Sequence, residues 1–520
     1  MITTRALAEP LWAADEAAAA TGGVAQGTWA ATGVSIDSRT VAPGDLFVAL
    51  RGLNHDGHAY VGRALSAGAA AAVVEQAALA EGLADVPGDA PLLVVRDGMD
   101  ALEALGRFAR LRTKATVIGV TGSVGKTGTK EALKLACDAH GPTAATLGNL
   151  NNHIGVPLTL ARLPTDLRFA VIEMGMNHAN EIRPLSRMAK PDVSIITTVT
   201  DAHLENFRDE TGIADAKAEI FDGMEPSGTA VLNRDNPHCP RLVAHARTAG
   251  LGRIWTFGQH DKCDARLLDT SLHTTCSAVH AIIRGDVISY SLPIPGRHWV
   301  DNSLAVLLAM RAVGGDITVA ARALLGLRAG AGRGQRSVVE RPDGTRFAVI
   351  DESYNASPAA VRAALSVLAA STVQTGGRRV LVLGDMLELG DAAARLHAGL
   401  AETIAAAGID RVHTCGPLSR HLHDALPSAV RGHWAKDSAA LVDPVAADVR
   451  PGDAVLVKGS LGSRMQPVVA ALLSLGRATD PGDPPAASGM PTPNRNASTA
   501  DSKASPGQGR RRRSRAANGQ

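Results

Sequence analysis

A glycine-rich turn that ends in a lysine and a hydroxyl residue can hold a phosphate chain. This sequence has one at Gly119-Val-Thr-Gly-Ser-Val-Gly-Lys-Thr127. The apolar run Thr116-Val-Ile-Gly-Val-Thr reads as a strand entering the turn, and Thr127–Ala139 reads as the helix leaving it. Glycines admit positive φ and let backbone N–H groups approach phosphate oxygens. The helix N-terminus adds a partial positive charge. Lys126 would reach the β- and γ-phosphates, and the Thr127 hydroxyl would ligate Mg²⁺. The spacing is off the usual G-x-x-x-x-G-K-[ST]: Val120 stands where the first glycine belongs, so Thr121, Gly122, Ser123, Val124, Gly125, Lys126 and Thr127 carry the match.

Phosphoryl transfer also needs a carboxylate near the metal, usually at a strand end. Phe169-Ala-Val-Ile-Glu-Met is such a strand, with Glu173 at its end. A second, Val193-Ser-Ile-Ile-Thr-Thr-Val, leads to Asp201-Ala-His-Leu-Glu, where His203 could serve as a metal ligand. A strand-end glutamate is also a common solvated or capping group, and a lone histidine a common structural one. These residues alone leave both readings open.

Positioning such groups takes a large α/β scaffold. Strand-like apolar runs alternate with Ala/Leu-rich helical stretches along the 520 residues, which predicts largely parallel sheets in several domains. Three folded regions are expected, at 1–111, 112–327 and 328–478. The first has strands at Asp45–Leu50 and Pro91–Val95, and the third opens at the Gly-rich joint Arg328–Gly334. In the third, Arg379-Val-Leu-Val-Leu-Gly and Ala454-Val-Leu-Val-Lys-Gly read as buried parallel strands with polar residues at their C-terminal ends, where open α/β sheets bind ligands. The stretch 479–520 is rich in Pro, Ser, Ala, Gly and Asn and is expected to be disordered.

Net charge is +2; seven basic against three acidic residues give the tail +4 and leave the rest near −2. The body therefore lacks a nucleic-acid footprint, although the Arg510–Arg513 run could meet nucleic acid or anionic lipid. Five scattered cysteines without CxxC spacing fit reduced thiols and a cytoplasmic protein. The N-terminus shows no signal-peptide pattern, and no uncharged apolar run reaches the roughly 18 residues that span a bilayer.

The order of Thr121–Thr127, Gly148-Asn-Leu-Asn-Asn-His-Ile-Gly-Val-Pro157, Glu173-Met-Gly-Met-Asn-His178, Asp201-Ala-His-Leu-Glu205, Gly296-Arg-His, Asp351-Glu-Ser-Tyr-Asn-Ala-Ser-Pro358 and Gly384-Asp-Met-Leu-Glu-Leu-Gly390 resembles the Mur ligases. Within that superfamily it is most similar to the members that add D-alanyl-D-alanine. The resemblance spans about Ser35 to Met465. It implies a UDP-precursor-binding α/β domain, a central P-loop ATPase domain with a mostly parallel sheet, and a C-terminal Rossmann-like α/β domain. It implies ATP and Mg²⁺ as cofactors and UDP-N-acetylmuramoyl-tripeptide and D-alanyl-D-alanine as partners; a monomer is expected, with no membrane insertion and no specific nucleic acid. The chemistry implied is activation of a peptide carboxylate as an acyl phosphate, then attack by the dipeptide amine.

By the same resemblance, Lys126 binds phosphates; Thr127 and Glu173 match Mg²⁺ positions; and His203 matches a metal-associated histidine. Asn302 matches an adenine contact, Arg333 a γ-phosphate arginine, and Asp351 a ribose-binding acid, with Glu352 open to the same register. Lys217 matches a lysine that relatives carry as a carbamate. Ser38 and Arg39, with Asp56 and His58, match the grip on the uridine diphosphate. Asn151 and Asn152, then Tyr354, Asn355, Asp385 and Lys458, match positions near the substrates. Val124, His153, Gly128 and Trp299 depart from the usual Asn, Glu, Thr and Asn. Other amide ligases of the superfamily, including folylpolyglutamate synthases, are the nearest alternative. Asp235-Asn-Pro237 hints at the diaminopimelate-adding type, but His238 follows it, and it lies in the second region.

Overall fold

A computed structural model describes residues 10–52 and 54–479. The expected tail lies outside the described residues except Thr479, which is paired in a strand, Arg477–Thr479, on the edge of the last sheet.

Three large sheets organise the described residues, beside a two-stranded pair of Trp12–Ala13 with Ala30–Ala31. The first has five strands in the order Val24–Gln26, Leu92–Val95, Ala71–Glu75, Asp45–Val48, Gly33–Ser35, all parallel except the first pair. The second has nine strands. Seven are parallel, and the hairpin strands Ser277–Ile283 and Asp286–Leu292 extend one edge in antiparallel fashion. The third has seven. Its five parallel strands, Arg431–Ala435, Arg411–Cys415, Arg379–Gly384, Ala454–Lys458 and Arg346–Glu352, are extended by Gln335–Glu340 and Arg477–Thr479.

Buried parallel strands present apolar residues to both faces. Thr116–Thr121 does so: Ile118 and Val120 enter a core with the helix Arg297–Ala312, while Val117 enters another with Ile182–Ala189. The helix Arg297–Ala312 is covered on every side from Asn302 to Met310, as expected of a helix apolar all round. Thr116–Thr121 lies between Val193–Ile196 and Phe169–Glu173, so the chain leaves it for one side of the sheet and later returns to the other. Its C-terminal end is thus a topological switch point, where open sheets leave a ligand crevice. No helix among the described residues is long and apolar enough to cross a membrane.

The short helix Gly155–Ala161 ties the first two regions. Leu158 and Ala161 lie in the core under the first sheet, and Trp12 donates its indole N–H to the Ala161 carbonyl at 2.9 Å.

In the third sheet, His413 is fully buried. Its Nδ1 accepts the His433 N–H (3.1 Å) and its Nε2 lies 3.1 Å from Asp448. Burial pulls the ring down to about 4, against the attraction of Asp448. The folded ring stays neutral, while the unfolded ring protonates near 6.5. Between those values the unfolded chain binds more protons, so this stability is present above the window and lost as pH falls through it. Denaturant unfolding at pH 7 and pH 5 should show a loss that His413→Asn flattens, by at most about 1.4 kcal/mol per pH unit.

Candidate active site

The glycines of the phosphate loop are demanded by close approach. Gly122 (φ +147) abuts Thr197, and a Cβ on Gly125 (φ +88) would stand 2.6 Å from the Asn302 amide. The loop is clamped to the neighbouring strand's exit. Ser123 N–H donates to the Thr198 carbonyl (2.8 Å), the Ser123 hydroxyl accepts Thr200 N–H (3.0 Å), and Thr197 donates to the Val124 carbonyl (2.6 Å). The Ser123 side chain therefore acts inside the protein, and the Thr121 hydroxyl is buried without a partner. The helix begins at Lys126. The Lys126 ammonium folds back onto the Gly122 carbonyl at 2.7 Å, a loop closed on itself where phosphate oxygens would compete. Burial lowers its pKa; Glu173 and Glu388 oppose that, and Arg333 adds to it.

Glu173 ends its strand 1% exposed. Its Oε1 accepts from the Thr127 hydroxyl (3.2 Å) and the Asn151 amide (2.7 Å), while Oε2 is buried with no partner among the described residues. An orphaned carboxylate oxygen beside a phosphate-loop hydroxyl suits Mg²⁺, which takes one or two carboxylates and leaves its other positions to phosphate and water. No cluster of three His, Cys, Asp or Glu that could hold a metal occurs among the described residues. Lys217 is 1% exposed and has no carboxylate within ion-pair distance among the described residues. Burial, with Lys126 adding to it, pulls its pKa well down, so its amine is uncharged far more readily than a surface lysine's.

Two residues outside the motif assignments serve this site. Lys130, 1% exposed, donates to the carbonyls of Thr146 (2.8 Å) and Gly148 (3.3 Å), fixing the loop that carries Asn151. Its position one helical turn beyond Lys126 was visible, but nothing in the sequence marked it as buried. Glu388, inside the quoted Gly384–Gly390 run, reaches from the third region to within 2.5 Å of His203 Nδ1. The His203 segment is in turn tied to the phosphate loop through Thr200 and Ser123. Arg333 lies over the Tyr354 ring at 4.0 Å and near enough to Lys126 to oppose its charge.

Several residues expected at the ligands also make hydrogen bonds within the protein. Asp351 accepts from Gly332 N–H (2.9 Å) through one oxygen and from Ser353 N–H (3.0 Å) through the other, bracing the joint; Glu352 pairs with Lys458 at 3.1 Å. Lys458 is 2% exposed and also donates to the Asn355 carbonyl (3.0 Å), so it holds the Tyr354–Asn355 turn from beneath. Asn355 itself is exposed. Asp385 is 5% exposed, and its Oδ1 accepts from both the N–H and the hydroxyl of Ser419 at 2.7 Å. Asn152 Oδ1 accepts the Gly155 N–H at 2.9 Å just before the helix Gly155–Ala161. In the first region, His58 spends both ring nitrogens: Nδ1 on Asp56 (2.6 Å) and Nε2 on Glu75 N–H (3.0 Å). Ser38 is half-buried, and exposed Arg39 pairs with Asp37, whose carboxyl it lowers to about 2. Arg51, which no motif flagged, bridges Glu75 (2.9 Å) and Asp56 (3.6 Å) and is half-exposed beside them.

Two sequence departures prove to be one feature. A Cβ on Gly128 would lie 2.6 Å from the Trp299 ring, so the indole occupies the volume that a larger residue at 128 would need. Trp299 and Asn302, one turn apart, together wall the start of the phosphate-loop helix.

Three family descriptions match the chain: Mur ligase family, catalytic domain, over residues 30–112; Mur ligase middle domain, over 120–310; and Mur ligase, glutamate ligase domain, over 332–461. The UDP-N-acetylmuramoyl-tripeptide--D-alanyl-D-alanine ligase of Escherichia coli is 34% identical over 443 residues, covering 84% of this chain and 93% of that protein. The enzyme of the same description from Bacillus subtilis is 33% identical over 448 residues, covering 85% and 93%. A crystal structure of MurF from Acinetobacter baumannii superposes with a TM-score of 0.77 at 28% identity, covering 90% of this chain and 99% of that one. MurF ligase from Thermotoga maritima in complex with ADP gives 0.69 at 26% identity, covering 85% and 97%.

The Gly128–Trp299 contact sets two effects against each other. Gly128→Ala would gain about 1 kcal/mol of helix propensity. Overpacking against a ring costs about 1–3 kcal/mol, so the clash should win. Denaturant unfolding should find Gly128→Ala destabilised, and the double variant with Trp299→Asn should recover most of the loss.

Proposed function

The chain belongs to the Mur ligase family, and on that footing we infer that it joins D-alanyl-D-alanine to UDP-N-acetylmuramoyl-tripeptide at the expense of ATP, making the pentapeptide precursor of peptidoglycan. The observation that carries the reading is Glu173: one oxygen is held by Thr127 and Asn151, and the other is bare beside the phosphate loop.

The tripeptide carboxylate cannot condense with an amine directly, because oxide does not leave. It attacks the γ-phosphorus of ATP, ADP departs, and an acyl phosphate forms. The dipeptide amine then attacks the acyl carbon; the C–N bond forms, the C–O bond to phosphate breaks, and one proton is released overall. Lys126 and the loop N–H groups bind the phosphates, with Thr121 to Thr127 forming the cradle. Arg333 answers the charge that gathers on the transferred group. Thr127 and Glu173 would hold Mg²⁺, with His203 and Lys217 as further candidates; when bound, the ion neutralises the phosphate oxygens. A neutral Lys217 amine can take up CO₂ to become an anionic ligand, which the low pKa favours. Asn302 is assigned to the adenine, and Asp351 or Glu352 to the ribose.

We take 1–111 as the precursor-binding unit, 112–327 as the ATPase unit and 328–478 as the unit that receives the dipeptide. Ser38, Arg39 and Arg51 are the first unit's candidates for the diphosphate. His58, Asp56 and Lys458 act as braces. Tyr354, Asn355 and Asn151 remain candidates at the substrates, and Asp385 and Asn152 support them. The reaction belongs in the cytoplasm, supported by its need for ATP and a nucleotide-linked precursor and by five free cysteines.

Purified protein given ATP, Mg²⁺ and both substrates should release ADP and phosphate, and pentapeptide should form only when both substrates are present. Lys126→Ala should lower turnover at least 100-fold. Release of phosphate that ignores D-alanyl-D-alanine would overturn the assignment. Intact-protein mass spectrometry in bicarbonate should find one added CO₂ on the native chain and none on Lys217→Met.

A further inference from the structure

His203 and Glu388 lie on loops of different regions yet face each other. The Glu388 Oε2 is 2.5 Å from His203 Nδ1, at ion-pair distance but off the N–H axis, so a small ring rotation completes the hydrogen bond. The approach is built into the backbone. Glu205 N–H donates to the Glu388 carbonyl at 3.1 Å, and a Cβ on Gly390 would stand 3.3 Å from Glu205 Cα. The turn that presents Glu388 is unusual for a glutamate: φ is +64, followed by +56 at Gly390. A left-handed non-glycine residue costs free energy and persists where its surroundings hold it. His203 is itself left-handed at +65, and its segment is fastened to the phosphate loop through Thr200 and Ser123. Both side chains are thus aimed from fixed backbones, and Glu388 is the one carboxylate within 4 Å of His203 among the described residues.

A neutral imidazole carries its proton on one nitrogen, and the hydrogen bond made by that nitrogen decides which. A carboxylate behind a metal-site histidine fixes the ring and leaves the opposite nitrogen's lone pair for the metal. We propose that Glu388 is a positioning residue that holds His203 as the Nδ1–H tautomer, leaving the Nε2 lone pair for the nucleotide–metal space. Because Glu388 arrives on the third region, His203 takes up its working tautomer only when the turn Leu387–Gly390 is seated on 203–206. Seating of the dipeptide-receiving unit thereby sets the ATP site. The inference rests on the assignment of His203 to that site.

The test uses the full chain with ¹⁵N-labelled histidine, Mg²⁺ and ADP, with His203 assigned by its loss in His203→Gln. The native protein and Glu388→Gln, whose amide oxygen still accepts, should show His203 protonated on Nδ1. Glu388→Ala should shift it toward Nε2–H. Mn²⁺ affinity in the presence of ADP, read by water proton relaxation, should fall 10- to 100-fold in Glu388→Ala and stay near native in Glu388→Gln. An unchanged tautomer in Glu388→Ala, or equal loss of Mn²⁺ affinity in both Glu388 variants, overturns the proposal. If His203→Gln leaves Mn²⁺ affinity intact, the assignment of His203 falls and the proposal with it. If His203→Gln weakens Mn²⁺ and Glu388→Ala does not, the proposal alone falls.

Discussion

One oxygen atom, Oε1 of Glu173, joins three parts of the molecule: the strand it ends, the phosphate-loop helix through Thr127, and the Asn loop through Asn151. The carboxylate is almost wholly buried, so its placement has to be compensated by those two donors, and a charge left without them would be costly. Because both donors crowd one oxygen, the other is left bare for a cation. Lys130 secures the arrangement from behind by holding the loop carbonyls. Displacing any of these groups would disturb the rest.

The remaining machinery lies across a seam. The phosphate loop and Glu173 stand on the second region, and Arg333, Tyr354 and Glu388 come from the third. Such division suits a two-stage reaction, in which a reactive acyl phosphate must be made beside one region and consumed by an amine delivered on another. Many residues around the seam act as braces. Asp351 holds the joint, Lys458 holds a turn and Asp385 holds a helix start through Oδ1.

The parts legible in sequence were those whose signal is local. Ile118 and Val120 alternate with Val117 and announce a strand buried on both faces. The phosphate loop is a contiguous run, and the expected helix 127–139 differs from Lys126–Asp138 by one residue at each end. What could not be read was whether a motif residue spends its polar atoms inward. His58, Asn152, Asp385 and Lys458 all sit in recognisable runs and all turn out to be engaged by the protein itself. Contacts between distant segments were equally hidden. Gly128 and Trp299 stood out separately as departures, and only their apposition shows that each accommodates the other. The two irregularities occurring together were the available signal.

The Asn loop has a mechanical consequence for the way this protein can evolve or be rebuilt. Leu150 and Ile154 flank Asn151 and Asn152 and rest against the core beneath the first sheet, and Leu158 and Ala161 lie within it. The amide that steadies the buried acid is therefore anchored in hydrophobic material supplied by a neighbouring module. Exchanging that module for a cousin's would also require transplanting 148–161; otherwise apolar side chains would be stranded and the acid's steadying amide would lose its footing.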